Sequence, residues 1–382
     1  MLFYANDCHF GMGMANLRYM THIASKADAF AVFPVDGDPV VWVETPWHHI
    51  PDGSLYRYTQ DWVKDIRPNT GPTPVASFLR DQQYDHGTIG LVGMTTAVGG
   101  DINLAPIYDY FHRELPDAKI IDVTGLMDYL RMIKSPEEII MLEKAGELAR
   151  KTIDTMIQSA EPGKKECELY ADMVHTQISN GGEAEIFNFL SSGPVEGPMN
   201  KDLLHGAIQP IAPTMRTLEM GDLVITEFHA NWGGYLAGAE FSVYLGKAPG
   251  ELKRIHEVCV QCFEQLLEKM RPGNKFEEVL DAVREPCKRA GMDFVELGFH
   301  GHGVLSPEMP TAVCSSGAPI GAGEKISRLE VRENMVFGTN IDIHDPKWKT
   351  DVGLMLGDTL HVTKDGARRL VDIPLDYLEK IP

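Results

Sequence analysis

The sequence predicts a mixed α/β (α+β) protein of two domains, a small N-terminal α/β domain over residues 1–134 and a larger C-terminal domain over 135–382 built by internal duplication. Three observations carry this. A chain of 382 residues is too long for one ordinary core. Strand-like and helix-like stretches alternate through the first third, the pattern of an α/β layer. In the remainder, EPGKKECEL at 161 returns as RPGNKFEEV at 271, each lying between two helical stretches.

In order, Asp28 to Glu44 reads as a hairpin turning at Asp36, Gly37, Asp38 and Pro39. Trp47, His48 and His49 follow on a loop, where adjacent side chains point apart and suit a surface role. Thr88–Val92 reads as a buried strand, Asn103–Glu114 as a helix, Lys119–Val123 as a strand and Thr124–Ile133 as a helix. From Ser135 the pattern becomes a long amphipathic helix to Ala160, with a Ser cap, Pro in the first turn and two early glutamates. The repeats continue beyond the helices. SNGGE at 179 matches KRAGM at 288, LEMGDLVITEF at 218 matches VRENMVFGTNI at 331, and EFSVYL at 240 matches DTLHVT at 358. Such a duplication places two strand hairpins face to face about a pseudo-twofold axis, with a site between them.

Hydrophobic content of 43% and charged content of 24% are those of a globular chain. No apolar run approaches the roughly 18 residues of a membrane span, and the N-terminus lacks a basic segment followed by an apolar one, so a cytoplasmic location is expected. Fifty-five acidic against 35 basic residues give a net charge of -20. Without a local basic cluster that balance repels nucleic acid and anionic membrane, leaving a small molecule or a protein as partner. The six cysteines are too sparse for a disulfide scaffold, and Cys259 and Cys262, inside the helical run Leu252–Met270, read as packing.

The chemistry is expected on Gly221–Gly246, a long hairpin reversing at Asn231–Gly234. It carries Glu227, Glu240 and His229. A carboxylate within an apolar strand is costly to bury unless paired, ligated or catalytic; the alternative is that both glutamates face solvent. GFHGHGVLSPEMP adds His300 and His302, which share one face if the segment is extended. A Gly/Pro-rich loop ends at His205, and Asn340 lies in the second repeat.

These segments resemble the pita-bread hydrolases, the family of creatinase, prolidase, aminopeptidase P and methionine aminopeptidase. NLRYMTH at 16 is similar to the family's N-terminal element and RMIKSPEEIIMLEKA at 131 to its linking helix, while SSGP, GD, GGY, HGHG and GDTLHVT fall in the family's order. The resemblance implies a pita-bread C-terminal domain. The family's peptidases hold two metal ions with two Asp, one His and two Glu, and those places fall here on Glu227, Gly238, His302, Asn340 and Gly357. Glycine supplies no side-chain ligand, so the ordinary dinuclear site is not expected.

Among family members, the metal-free creatinase matches better. Its catalytic glutamate falls on Glu240, one histidine on His302, and its acid/base histidine nearest to His205. A glutamate and a second histidine of creatinase are replaced by Asn340 and Gly357, so another substrate is implied; ectoine hydrolase is a metal-free relative acting on a different small C–N compound. The expected function is therefore metal-independent hydrolysis of an amidine, amide or guanidino C–N bond, without cofactor. In it His205 or His302 relays the proton, Glu240 binds substrate, Asn340 orients it, Glu227 helps to raise the histidine's pKa, and His229 and His300 line the site. Two alternatives stand. One is a metal-dependent lyase or peptidase with Glu227, His229, Glu240 and His302, joined by Asp342 or Asp358, as ligands; the other is a lapsed enzyme that binds protein partners. The resemblance further implies a homodimer in which Trp47, Arg57 or Tyr58 reaches a neighbour's pocket, and a first domain lacking the family's usual opening helix.

Overall fold

The computed structural model describes residues 1–5, 12–25, 27–44, 60–94, 105–184, 188–197, 213–315, 318–320, 329–349 and 351–381. They form two compact units, Met1–Arg131 and Met132–Pro382. His205, Trp47, His48, His49, Arg57 and Tyr58 lie outside the described residues.

The first unit is built on one sheet of six strands: β1 (Leu2–Ala5), β2 (Ala29–Val32), β3 (Val40–Val43), β4 (Asp65–Pro68), β5 (Thr88–Val92) and β6 (Lys119–Asp122), in the order β4-β3-β2-β1-β5-β6. β2 and β3 are the expected hairpin, with Gly37 at φ 115° in its turn. β1 went unpredicted. Its four residues are too few to show alternation, yet it is buried throughout and lies between antiparallel β2 and parallel β5. Side chains alternate between two cores as strand geometry requires. Leu2, Tyr4, Phe30 and Val32 pack with Val75 and Leu79 of the helix Pro72–Asp81 and Phe111 of the helix Ala105–Glu114. Phe3, Ala5, Ala29 and Ala31 pack with Leu17 of the helix Ala15–Thr21 and Met127 of the helix Thr124–Met132. Both faces are covered, which defines an α/β layer.

The second unit opens with the helix Pro136–Ser159. Ser135 Oγ accepts from Glu138 N at 3.3 Å while a Glu138 carboxylate oxygen accepts from Ser135 N at 2.8 Å, a capping box worth about 0.5–2 kcal/mol. The duplication is visible residue by residue. Helices Glu166–Ser179 and Phe276–Ala290 follow Pro136–Ser159 and Gly250–Lys269 across turns in which Gly163 and Gly273 take φ 96° and 95°. Lys165 N donates to Glu168 at 3.0 Å and Lys275 N to Glu278 at 2.8 Å.

Eleven described strands follow: β7 (Phe189–Pro194), β8 (Asp222–Trp232), β9 (Tyr235–Leu245), β10 (Asp293–Gly301), β11 (Glu308–Ser315), β12 (Ala318–Ile320), β13 (Val336–His344), β14 (Gly353–Met355), β15 (Thr359–Thr363), β16 (Gly366–Arg369) and β17 (Glu379–Lys380). They make a four-stranded sheet, β17-β9-β8-β7, and a second sheet ordered β12-β11-β10-β13-β15-β16 with β14 on β13. The two sheets are bridged by backbone hydrogen bonds at Glu240 and Gly357. Glu240 N donates to Gly357 O at 3.1 Å and Gly357 N returns a bond to Glu240 O at 3.0 Å, so the duplicated hairpins join beside the predicted carboxylate.

Cys259, Cys262 and Cys287 are buried in the core of this unit, and burial pushes the Cys262 thiol up to about 12 and the Cys287 thiol to about 11. Protonated and enclosed, they pack as apolar groups. Among the described residues no helix is long and apolar enough to cross a membrane.

Candidate active site

β8 and β9 form an antiparallel hairpin through the two-residue turn Gly233–Gly234, whose φ of 57° and 91° match the left-handed backbone that such turns demand. Its register sets Glu227 directly opposite Glu240 and His229 opposite Gly238. Glu240 is buried, 3% exposed, so the solvent-facing alternative fails for it. Its carboxylate accepts from Asn340 Nδ2 at 2.7 Å and Ile341 N at 3.3 Å, both on β13. It also shares a hydrogen bond with the Asp342 carboxyl, a contact that needs a proton between the two. Asn340 Oδ1 is buried and has no hydrogen-bond partner among the described residues.

Burial and mutual repulsion keep this acid group partly protonated. Burial, then the charges of Asp342 and Glu296, pushes Glu227 up to about 8. Burial and Glu296 push Asp342 to about 8, and Glu240 is raised well above the carboxylate range.

Opposite the acids stand the imidazoles. His300 is the penultimate residue of β10 and His302 follows the strand, their ring centroids 4.9 Å apart. His229 lies 5.4 Å from His302, with its Nε2 3.8 Å from Glu227. Its backbone is fixed from both sides: His229 N donates to the Asn188 side chain at 2.6 Å and Gln177 Nε2 to His229 O at 2.7 Å. Glu227, His229, Glu240, His300, His302 and Asn340 thus line one cavity of about 10 Å³, room for about one water.

The expected raising of a histidine pKa by Glu227 and Glu240 is corrected. Burial lowers His300 to about 4 and carries His302 well below its usual value, helped by His300, His229 and Lys134, so both rings are neutral. Asp358, offered as a ligand, is corrected too: it is committed to Arg369 at 2.9 Å and to the N–H groups of Val371 and Ile373.

Sequence reasoning did not find Ser306, Thr359, Glu296 or Gln177. Ser306 Oγ lies 2.7 Å from His302 Nε2 and 3.0 Å from His229 Nε2, and Thr359 Oγ1 3.1 Å from His302 Nδ1. Glu296 alone left a signal, lying two and four places before Gly298 and His300 on one strand. Beside the site, Lys134 and Glu308 form a buried ion pair of 2.6 Å.

The profile of metallopeptidase family M24 matches residues 141–364, more than half of the chain. The chain belongs to this family. Relatives include the Xaa-Pro dipeptidase of Pyrococcus furiosus, 28% identical over 65% of this chain and 66% of that protein. The ectoine hydrolase of Halomonas elongata is 25% identical over 86% of this chain and 79% of that protein. Against the Pyrococcus protein, then, the match spans just under two thirds of the relative's length. Among solved structures, a recombinant prolidase from Thermococcus sibiricus superposes with a TM-score of 0.76 at 18% identity, covering 99% of this chain and 94% of that one. The fold is the pita-bread fold of M24 proteins.

The family name implies a metal, and the donor places test the fit. At Gly238 an added Cβ would stand 2.5 Å from His229 Cδ2, so the imidazole fills the space a ligand side chain would take. At Gly357 it would stand 2.0 Å from Thr339 O and 3.0 Å from Glu240 Oε2. Two of the five donor places are therefore filled, one by the His229 ring and one by the Thr339 carbonyl beside the Glu240 carboxylate, and among the described residues no group of three or more His, Cys, Asp or Glu is placed to hold a metal ion. The ordinary dinuclear set does not fit.

Proposed function

We propose that the protein is a hydrolase of a C–N bond in a small cationic nitrogenous metabolite, amidine, amide or guanidino in type, working without a metal ion. One observation carries the reading: the His229 ring at Gly238, and the Thr339 carbonyl beside the Glu240 carboxylate at Gly357, fill the space that ligand side chains there would need. Glu240 and Glu227 supply acceptors for a cationic nitrogen, and the open Asn340 Oδ1 supplies a third for an N–H of the same group. The imidazoles of His302 and His229 take a proton from water and return one to the leaving nitrogen. The likeness to ectoine hydrolase over most of both chains supports a non-peptide substrate. A second reading, a metal-dependent peptidase, is favoured by the 28% identity to the Xaa-Pro dipeptidase.

Glu240→Gln tests the first reading. An amide reproduces the shape of a protonated carboxyl, so the fold is expected to persist with the melting temperature close to that of the wild type. Turnover of a cationic amidine or guanidino substrate is expected to fall by about 10²–10³-fold. Full activity in the variant removes Glu240 from the mechanism.

A further inference from the structure

We propose that Ser306 is a positioning residue of this site, its single hydroxyl joining the two rings so that His302 Nε2 accepts a hydrogen bond and His229 Nε2 donates one. Both Nε2 atoms reach the same oxygen, at 2.7 Å for His302 and 3.0 Å for His229. A hydroxyl has one proton, so it donates to one ring and must accept from the other.

The far side of His302 decides the direction. Thr359 Oγ1 donates to Gly238 O at 2.9 Å and accepts from Gly238 N at 2.9 Å, so its own proton is committed. His302 Nδ1, 3.1 Å from the same oxygen, is therefore the donor of that pair. A neutral imidazole has one N–H, which leaves His302 Nε2 as a lone pair receiving the Ser306 proton. Ser306 Oγ then accepts from His229 Nε2–H. Burial of His302, 2% exposed, supports the neutral ring. Ser306 is itself buried and is not among the residues lining the cavity, so it acts through the two imidazoles.

On the hydrolase reading, His302 is thereby the ring poised as base and His229 the ring poised as acid. That division of roles rests on the proposed function, whereas the tautomers do not. The experiment therefore reads tautomers and needs no substrate. Full-length protein labelled with ¹⁵N-histidine is measured by long-range ¹H–¹⁵N correlation, with signals assigned by difference against His229→Asn and His302→Asn. The expected result is His302 protonated at Nδ1 alone and His229 at Nε2 alone. Ser306→Ala is expected to change the His229 signal while His302, still held by Thr359, stays protonated at Nδ1, and Ser306→Thr, which keeps the hydroxyl, to leave both unchanged. Should Ser306→Ala fail to fold, the wild-type spectrum still decides. His302 protonated at Nε2, or an unchanged His229 signal in a folded Ser306→Ala protein, overturns the proposal. Correct tautomers with no turnover of any C–N substrate would leave it standing and sink the hydrolase reading instead.

Discussion

At Asp342 a carboxyl shares a proton with Glu240 beside two further acids, Glu227 and Glu296, and this makes the folded state sensitive to pH in a defined direction. Asp342 moves from 3.8 to about 8 and Glu227 from 4.5 to about 8, so between those values the folded chain binds protons that the unfolded chain has released. Stability is thus fully present below the unfolded values and is lost as pH rises toward 8. His300 runs the other way: lowered from 6.5 to about 4, it costs stability as pH falls through that window. Asp342→Asn is expected to flatten the fall in melting temperature between about pH 5 and 8, and His300→Gln to flatten the acid side; thermal melts across pH check both. A wild-type melting temperature that rises steadily to pH 8 would contradict the assignment for the carboxyls.

At the scale of elements, the site follows from strand geometry plus the close approaches at Gly238 and Gly357. Alternation and the NWGG turn made the hairpin and its buried Glu240 readable in advance, and the short spacing of His300 and His302 placed both on one cavity. The remaining contacts join residues far apart in sequence. Ser306 meets His229 across 77 positions and Thr359 meets Gly238 across 121, distances that no local pattern encodes. Asp358 misled for the opposite reason. Its carboxylate resembles a ligand in sequence, but the strand pair β15–β16 brings Arg369 onto it. The glycines yield a further prediction. A carboxylate cannot be restored at Gly357, where a Cβ would sit 2.0 Å from a backbone oxygen, so Gly357→Glu is expected to unfold or strongly destabilise the protein. Gly238→Asp meets only the His229 ring and is expected to fold with that ring displaced and turnover lost. Equal loss of melting temperature in the two variants would show that the close approach at Gly357 does not matter.

Across the whole molecule, the duplication that was legible from EPGKKECEL and RPGNKFEEV brings two hairpins together at Glu240 and Gly357, and the ligand places implied by the sequence resemblance, Glu227, Gly238, His302, Asn340 and Gly357, lie around that junction. This chain keeps the scaffold and changes the occupants: an imidazole where one ligand side chain would lie, a backbone carbonyl and a carboxylate where another would. The first unit was legible in its hairpin and its strand–helix alternation, but not in β1, whose place at the centre of the sheet depends on pairing with residues 24 or more positions away.

The most direct test of the metal-free account is elemental analysis of the purified protein before and after chelation, paired with turnover of a panel of small amidine, guanidino and cyclic amide substrates. The account predicts far less than one equivalent of transition metal per chain and turnover that survives chelation unchanged. One or two tightly held equivalents, whose removal abolishes turnover and whose return restores it, would contradict it.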